Sequence, residues 1–165
     1  MFKRFYPDEY VESSYVIEYG KFFEQGYRGV IFDIDNTLVP HGAPSDERSR
    51  ALLKSLMDMG YKIMLLSNNK KARVDMFNES IGAFQIHKVG KPLQKGYLRA
   101  MEEMGTDKDT TLFVGDQLFT DVWGAKKAGI HTILVKPIDK KEEIQIVIKR
   151  FFEKIVLKSY LKSLK

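Results

Sequence analysis

The chain of 165 residues contains no cysteine. That removes disulfides, thiolate zinc sites and cysteine nucleophiles, and it fits a reducing compartment. Proline is scarce, at five residues, and nowhere gathers into a stiff linker. No apolar run approaches the ~18 residues that a membrane-spanning helix needs. The opening MFKRFYPDEYVESS lacks the apolar heart of a signal peptide. The expectation is a soluble, cytoplasmic protein. An excess of one charge is also missing, except at one place. From Lys149 to Lys165 six basic residues stand against one acid, Glu153, whereas the rest of the chain carries equal numbers of each. The whole net charge of +5 therefore lies in the tail.

A chain of this length buries an adequate core as a single domain, 1–165, without staples. Five short apolar segments recur: Val30–Ile34, Lys62–Leu66, Gln85–Val89, Thr110–Val114 and Thr132–Val135. Helical spacing fills the intervals. One helix opens at Ser45-Asp46-Glu47 and ends before Gly60; others run from Asn69, Leu93 and Leu118 to stops at Gly82, Gly105 and Gly129. Strands so uniformly apolar, alternating with helices, predict an α/β fold: a doubly wound parallel sheet with helices on both faces. Residues 1–28 hold nine aromatic residues among interleaved charges, a segment expected to pack across one face of the domain.

The stretch Val30-Ile-Phe-Asp-Ile-Asp-Asn-Thr-Leu-Val-Pro40 runs from an apolar segment into two carboxylates, Asp33 and Asp35. Side chains two apart on a strand lean to one side, so the pair repels and resists desolvation. A proton on one member, or a cation between them, makes such a pair tolerable. In a doubly wound sheet the residues that follow each strand share one crevice. The exits here carry Asp33 and Asp35, then Ser67-Asn68-Asn69, then Lys91, then Gly115-Asp116-Gln117 with Asp121 beyond. That set suits magnesium, a hard cation with oxygen ligands, beside a phosphoryl group. Single members have plainer readings: Asp121 as a turn former or cap, Ser67 as a cap of the next helix. Lys88 rivals Lys91 but lies within an expected strand. His41, His87 and His131 show no metal-ligand spacing.

Taken in order, Asp33-Ile34-Asp35-Asn36-Thr37, Ser67 after its strand, Lys91 ahead of a helix, and Gly115-Asp116 with Asp121 resemble the four motifs of the haloacid dehalogenase (HAD) superfamily of phosphatases. FDIDNTLVP, LLSNN, VGKP and VGDQLFTDVWGA look like its YqeG-type branch in subfamily IIIA, which is similar to the mitochondrial phosphatidylglycerophosphatase family. The resemblance implies a strand order of 5-4-1-2-3 for the five segments. It implies Asp33 as the nucleophile that forms an aspartyl-phosphate. Asp35 becomes the general acid and base, with a partly raised pKa while Asp33 stays ionised on the metal. By the same resemblance Mg2+ would be held by Asp33, Asp35 (through its carbonyl), Asp116 and Asp121. Ser67 and Lys91 meet the phosphoryl group, and Thr37 and Asn68 serve the substrate loop. The intervals Thr37 to Ser45 and Gly82 to Lys91 leave no room for a cap domain, so the site is expected to be open. Phosphatidylglycerophosphate is the implied substrate; a soluble phosphate ester, or a non-catalytic phosphate- or RNA-associated role, is the alternative.

Ile144, Val147, Ile148, Phe151, Phe152 and Ile155 recur at helical spacing, predicting a basic helix over 141–165 that packs through this stripe. Leu157, Leu161 and Leu164 fall on another face, so the helix is expected to break after Ile155 or to leave the core. The lysines of 149–165 suit an anionic membrane, peripheral at its inner face; RNA is less favoured, and a solvated terminus is the plain alternative.

Overall fold

Strand Gly29–Phe32, here β2, is buried at every position, and its side chains divide between two cores. Val30 and Phe32 join one cluster while Ile31 joins the other, the period of two that a sheet covered on both faces requires. The same division holds in β3 (Lys62–Leu66) and β5 (Thr111–Gly115). The computed structural model describes residues 2–139 and 144–165. With β1 (Glu9–Val11), β4 (Phe84–Ile86) and β6 (His131–Val135), the strands form one parallel sheet in the order β1-β6-β5-β2-β3-β4.

Helices α1 (Tyr19–Glu24), α2 (Glu47–Met59) and α3 (Lys71–Asn78) precede α4 (Gln94–Met104), α5 (Trp123–Lys127) and α6 (Ile144–Ser163). Helix α2 starts where Asp46 Oδ1 accepts the Ser49 N–H at 2.7 Å and Ser49 Oγ accepts the Asp46 N–H at 3.0 Å. Such a box contributes about 1 kcal/mol. It ends at Gly60, whose φ of 115° suits glycine. Leu53 and Leu56 of α2 and Val74 and Phe77 of α3 cover one face of the sheet. Tyr97, Ala100, Met101 and Met104 of α4, with Ala125 of α5, cover the other. Each leucine, valine, phenylalanine or methionine among these contributes roughly 1.5–3 kcal/mol when fully buried.

The five expected strands take the expected order, and a sixth is added. Glu9–Val11 pairs in parallel with β6, so the aromatic N-terminal segment extends the sheet as well as covering it. The expected strand Gln85–Val89 is corrected: β4 ends at Ile86 because Lys88 turns to a φ of 44°. Lys88 N–H and Val89 N–H then bond to the carbonyls of Asn69 and Ser67. No cap domain is inserted among the described residues, and none of their helices is long and apolar enough to cross a membrane.

The tail departs most from expectation. Helix α6 runs unbroken to Ser163, and Val147, Ile148, Phe151, Phe152 and Ile155 are 48–63% exposed. The helix packs through the opposite side, where Glu153, Val156 and Tyr160 are buried. Polar anchors set this rotation. Glu153 Oε1 accepts the Phe119 N–H, and the Tyr6 hydroxyl meets Ser159 Oγ at 2.6 Å. Ile144 carries no described side-chain placement.

Candidate active site

The carboxyl ends of β2, β3 and β5 open on a crevice, and the register brings its residues together. Phe32 stands beside Leu65 and Val114, so Asp33, one residue on, and Ser67 and Asp116, each two residues on, leave neighbouring strands within one residue of the same level. Lys91, 4% exposed at its side chain, bridges Asp33 Oδ1 at 2.8 Å and Asp121 Oδ1 at 2.7 Å. Asp121 Oδ2 accepts the N–H groups of Asp116 at 3.1 Å and Gln117 at 3.0 Å. Thr37 Oγ1 lies 3.0 Å from Asp116 Oδ1 and 3.3 Å from Asp33 Oδ2, tying the exits of β2 and β5 together. Gly115 must be glycine, because a Cβ there would stand 2.7 Å from Asp121 Cβ and Cγ. Carboxylate oxygens of Asp33, Asp116 and Asp121 all lie within 4.8 Å of one another.

A family description of haloacid dehalogenase-like hydrolases matches residues 43–129. "Probable phosphatase YqeG" of Bacillus subtilis is 39% identical over 140 residues, covering 84% of this chain and 81% of that protein. The chain belongs to the HAD-like hydrolases. Within them its relatives are phosphatases, and it is an enzyme of that kind. The "Phosphatidylglycerophosphate phosphatase 1, chloroplastic/mitochondrial" of Arabidopsis thaliana is 29% identical, covering 95% of this chain but only 48% of its own length. A HAD subfamily III A hydrolase from Legionella pneumophila has the same fold, with a TM-score of 0.55 over 74% of each chain at 18% identity.

The electrostatics of this HAD-like crevice differ from expectation at the two aspartates of the first motif. Burial pushes Asp33 up to about 7, against Lys91 and with help from Asp116. Burial likewise pushes Asp116 up to about 6, with Arg150 opposing and Asp121 adding. Asp35 is the reverse. Burial raises it, but the Gly42 N–H at 2.7 Å and Arg73 at 2.9 Å outweigh burial and hold it below the usual value. The expected raised Asp35 and ionised Asp33 are therefore exchanged in the protein alone. Asp33 sits among buried acids, whereas Asp35 turns toward its own cation. Lys91 is held well above its ordinary value: burial works against the charge, but Asp121 and Asp33 overcome it.

Several expected roles are redistributed. Asn68, expected at the substrate, spends its amide on Lys91: Oδ1 accepts the Lys91 N–H at 2.7 Å and Nδ2 donates to the Lys91 carbonyl at 3.2 Å. Thr37 serves the carboxylate cluster. Asp121 has both oxygens engaged by Lys91 and the Asp116–Gln117 backbone. Ser67 Oγ accepts the Asn69 N–H at 3.0 Å, leaving its proton to donate. Lys91, buried, is the crevice lysine; Lys88 is exposed. Two arginines escaped the sequence reading. Arg73 on α3 grips Asp35, and Arg150 on α6 donates to both the Asp116 carboxylate and its carbonyl.

The buried acids fit a magnesium ion. Asp33 and Asp116 are hard oxygen donors, and their climb toward neutrality shows that protons already compete for the negative charge of the cluster.

Proposed function

We propose that the chain is a magnesium-dependent phosphomonoesterase that works through an aspartyl-phosphate on Asp33, with phosphatidylglycerophosphate as its substrate. The observation that carries this reading is the buried cluster of Asp33, Asp116 and Asp121 around Lys91 at the carboxyl ends of adjacent parallel strands. Asp33 and Asp116 would hold the ion, with Asp121 locking the Asp116 loop from behind. Magnesium, when bound, lowers the pKa of Asp33 and offsets charge on the phosphoryl oxygens.

In the first half-reaction an Asp33 oxygen attacks phosphorus, the bond to the substrate oxygen breaks, and the departing alkoxide takes a proton from Asp35. Water then attacks the same phosphorus, gives its proton to Asp35 and frees Asp33 as carboxylate. Ser67 Oγ–H and Lys91 steady the transferring oxygens. The lipid assignment draws on the Arabidopsis relative and on the uncapped crevice, which suits a head group presented at a surface. A cytoplasmic protein of this kind visits the inner face of the membrane. Phosphate release from phosphatidylglycerophosphate in mixed micelles, with and without magnesium, is set against sugar phosphates and nucleotides. Preference for the soluble esters would remove the lipid.

Arg73 makes a signed pH prediction. It favours ionised Asp35 and holds it below the ordinary carboxylate range, so the acid form that protonates the leaving group is scarce once the pH exceeds that range and turnover of alkyl phosphates falls on the acid side of neutrality. Replacing it, Arg73→Met, lets burial raise Asp35 and moves the descending limb of the kcat profile to higher pH. An unmoved limb would separate Arg73 from the proton donor. Arg150 predicts an effect on metal affinity. Its guanidinium occupies Asp116, so Arg150→Met is expected to tighten magnesium binding several-fold, read by calorimetry without substrate. Weaker binding would show that Arg150 instead holds Asp116 in ligating position.

A further inference from the structure

Helix α6 has two dissimilar sides, and its apolar side faces solvent. Val147, Ile148, Phe151, Phe152 and Ile155 fall on one side at 100° per residue, opposite the buried Glu153, Val156 and Tyr160. Five large apolar side chains about half exposed in one patch mark an interaction surface. The charges around the patch indicate what covers it. The same side continues into Lys158 and Lys162, both exposed, and Lys154 flanks it. The one acid of the helix, Glu153, is 5% exposed and paired with Arg150. Every solvent-facing charge on α6 is thus positive.

The patch also extends beyond the helix. Phe152 and Ile155 line an apolar hollow of about 280 Å³ with Phe2, Phe5, Phe119 and Trp123. Arg4 lies against the Phe5 ring and Lys127 over the Trp123 ring, so this hollow is edged by positive charge as well. Apolar side chains ringed by lysine and arginine match a surface that is apolar in depth and negative at its rim. A second copy of the chain would set lysine against lysine.

We propose that this face docks on an anionic lipid bilayer. Helix α6 lies in the plane of the interface, with Phe151 and Phe152 at the acyl boundary and Lys158 and Lys162 among the head groups. The contact surface is therefore centred on 147–155, with the lysines of the basic run at its edge. Arg150 leaves the other side of the same helix for Asp116, which places the crevice beside the docked surface. The proposal depends on the lipid-substrate reading only for its purpose; docking stands on the face itself.

The test uses the full chain and vesicles of phosphatidylcholine with or without phosphatidylglycerol, none containing a phosphomonoester. Flotation and the emission of Trp123, the single tryptophan, are the readouts. The expected result is flotation with anionic vesicles alone, a blue shift of Trp123, and weakening by salt. The pair Phe151→Ser and Phe152→Ser lowers partitioning about thirtyfold, and Lys158→Gln or Lys162→Gln lowers it about fivefold each. All variants keep the wild-type melting temperature and rate on p-nitrophenyl phosphate. Failure to float with anionic vesicles overturns the proposal, as does undiminished flotation of the phenylalanine pair. A dimer in sizing that the same pair abolishes also overturns it, in favour of a second copy. Vesicle binding without hydrolysis of phosphatidylglycerophosphate would sink the lipid substrate and leave the docking face in place.

Discussion

Asp33→Asn is expected to abolish phosphate release while raising the melting temperature of the magnesium-free protein above neutral pH. The loss of turnover is at least about ten-thousandfold, because the amide has no lone pair suited to attack and no acyl phosphate forms. The stability change follows from the raised pKa. Burial pushes Asp33 up to about 7 in the folded chain, against 3.8 for an exposed aspartate. Between those values the folded state holds a proton that the unfolded state has released, so stability falls as pH rises through that window and the loss is complete above it. At about 1.4 kcal/mol per pH unit this is a few kcal/mol. Asparagine carries none of that cost, and Lys91 keeps Asp121 as its partner. The advantage of the variant should shrink toward pH 5, where Asp33 is protonated. Magnesium should reverse the order by stabilising only the wild type strongly. Thermal melts at several pH values check this; a variant that melts below the wild type at pH 8 without metal would mean that Asp33 is not a buried liability.

The fold was legible where burial writes a pattern. The core strands β2, β3 and β5 are covered on both faces, so each shows as a continuous apolar run, whereas their order came from the resemblance to the HAD phosphatases and not from the pattern. Edge elements write less. β1 is three half-buried residues joined to β6 by backbone bonds, and backbone bonding leaves no mark on residue type. Helix α6 shows the limit of periodicity. A stripe of apolar residues establishes that one side is apolar but not that it faces inward, and the buried Glu153 reads as a surface residue until its bond to Phe119 is known.

The site was legible as a set of chemical groups and less so as a set of partnerships. Asp33, Asp116, Asp121 and Lys91 stand out because acids and a lysine at strand exits have few structural uses, and the chain brings them together. Which way a side chain turns after its strand is a different matter. Asn68 looks toward substrate in sequence and toward the Lys91 backbone in space. Arg73 and Arg150 lie 38 and 34 positions from the aspartates they grip, on helices where an arginine is ordinarily a solvated surface residue.

Lys91→Met is expected to act on the same cluster with the opposite sign, lowering stability and turnover together. Lys91 is the ammonium between Asp33 and Asp121, and all three side chains are at most 10% exposed. Removing one partner of a buried pair while the others stay costs about 3–5 kcal/mol, or a fall in melting temperature on the order of 10 °C for a chain of this size. Methionine keeps the length and apolar stem of the side chain, so the loss reports charge more than packing. Both stranded carboxylates titrate above their usual value, pushed there first by burial. The deficit should therefore be smallest at acid pH, where protons replace the ammonium, and grow as pH rises. Arginine restores the charge but needs room for a planar fork in a closed pocket; Lys91→Arg should recover part of the stability without recovering turnover. Melting curves and phosphate release on the same preparations separate the two effects. A Lys91→Met protein as stable as the wild type at pH 8 would contradict the claim that this buried lysine compensates the acids of the crevice.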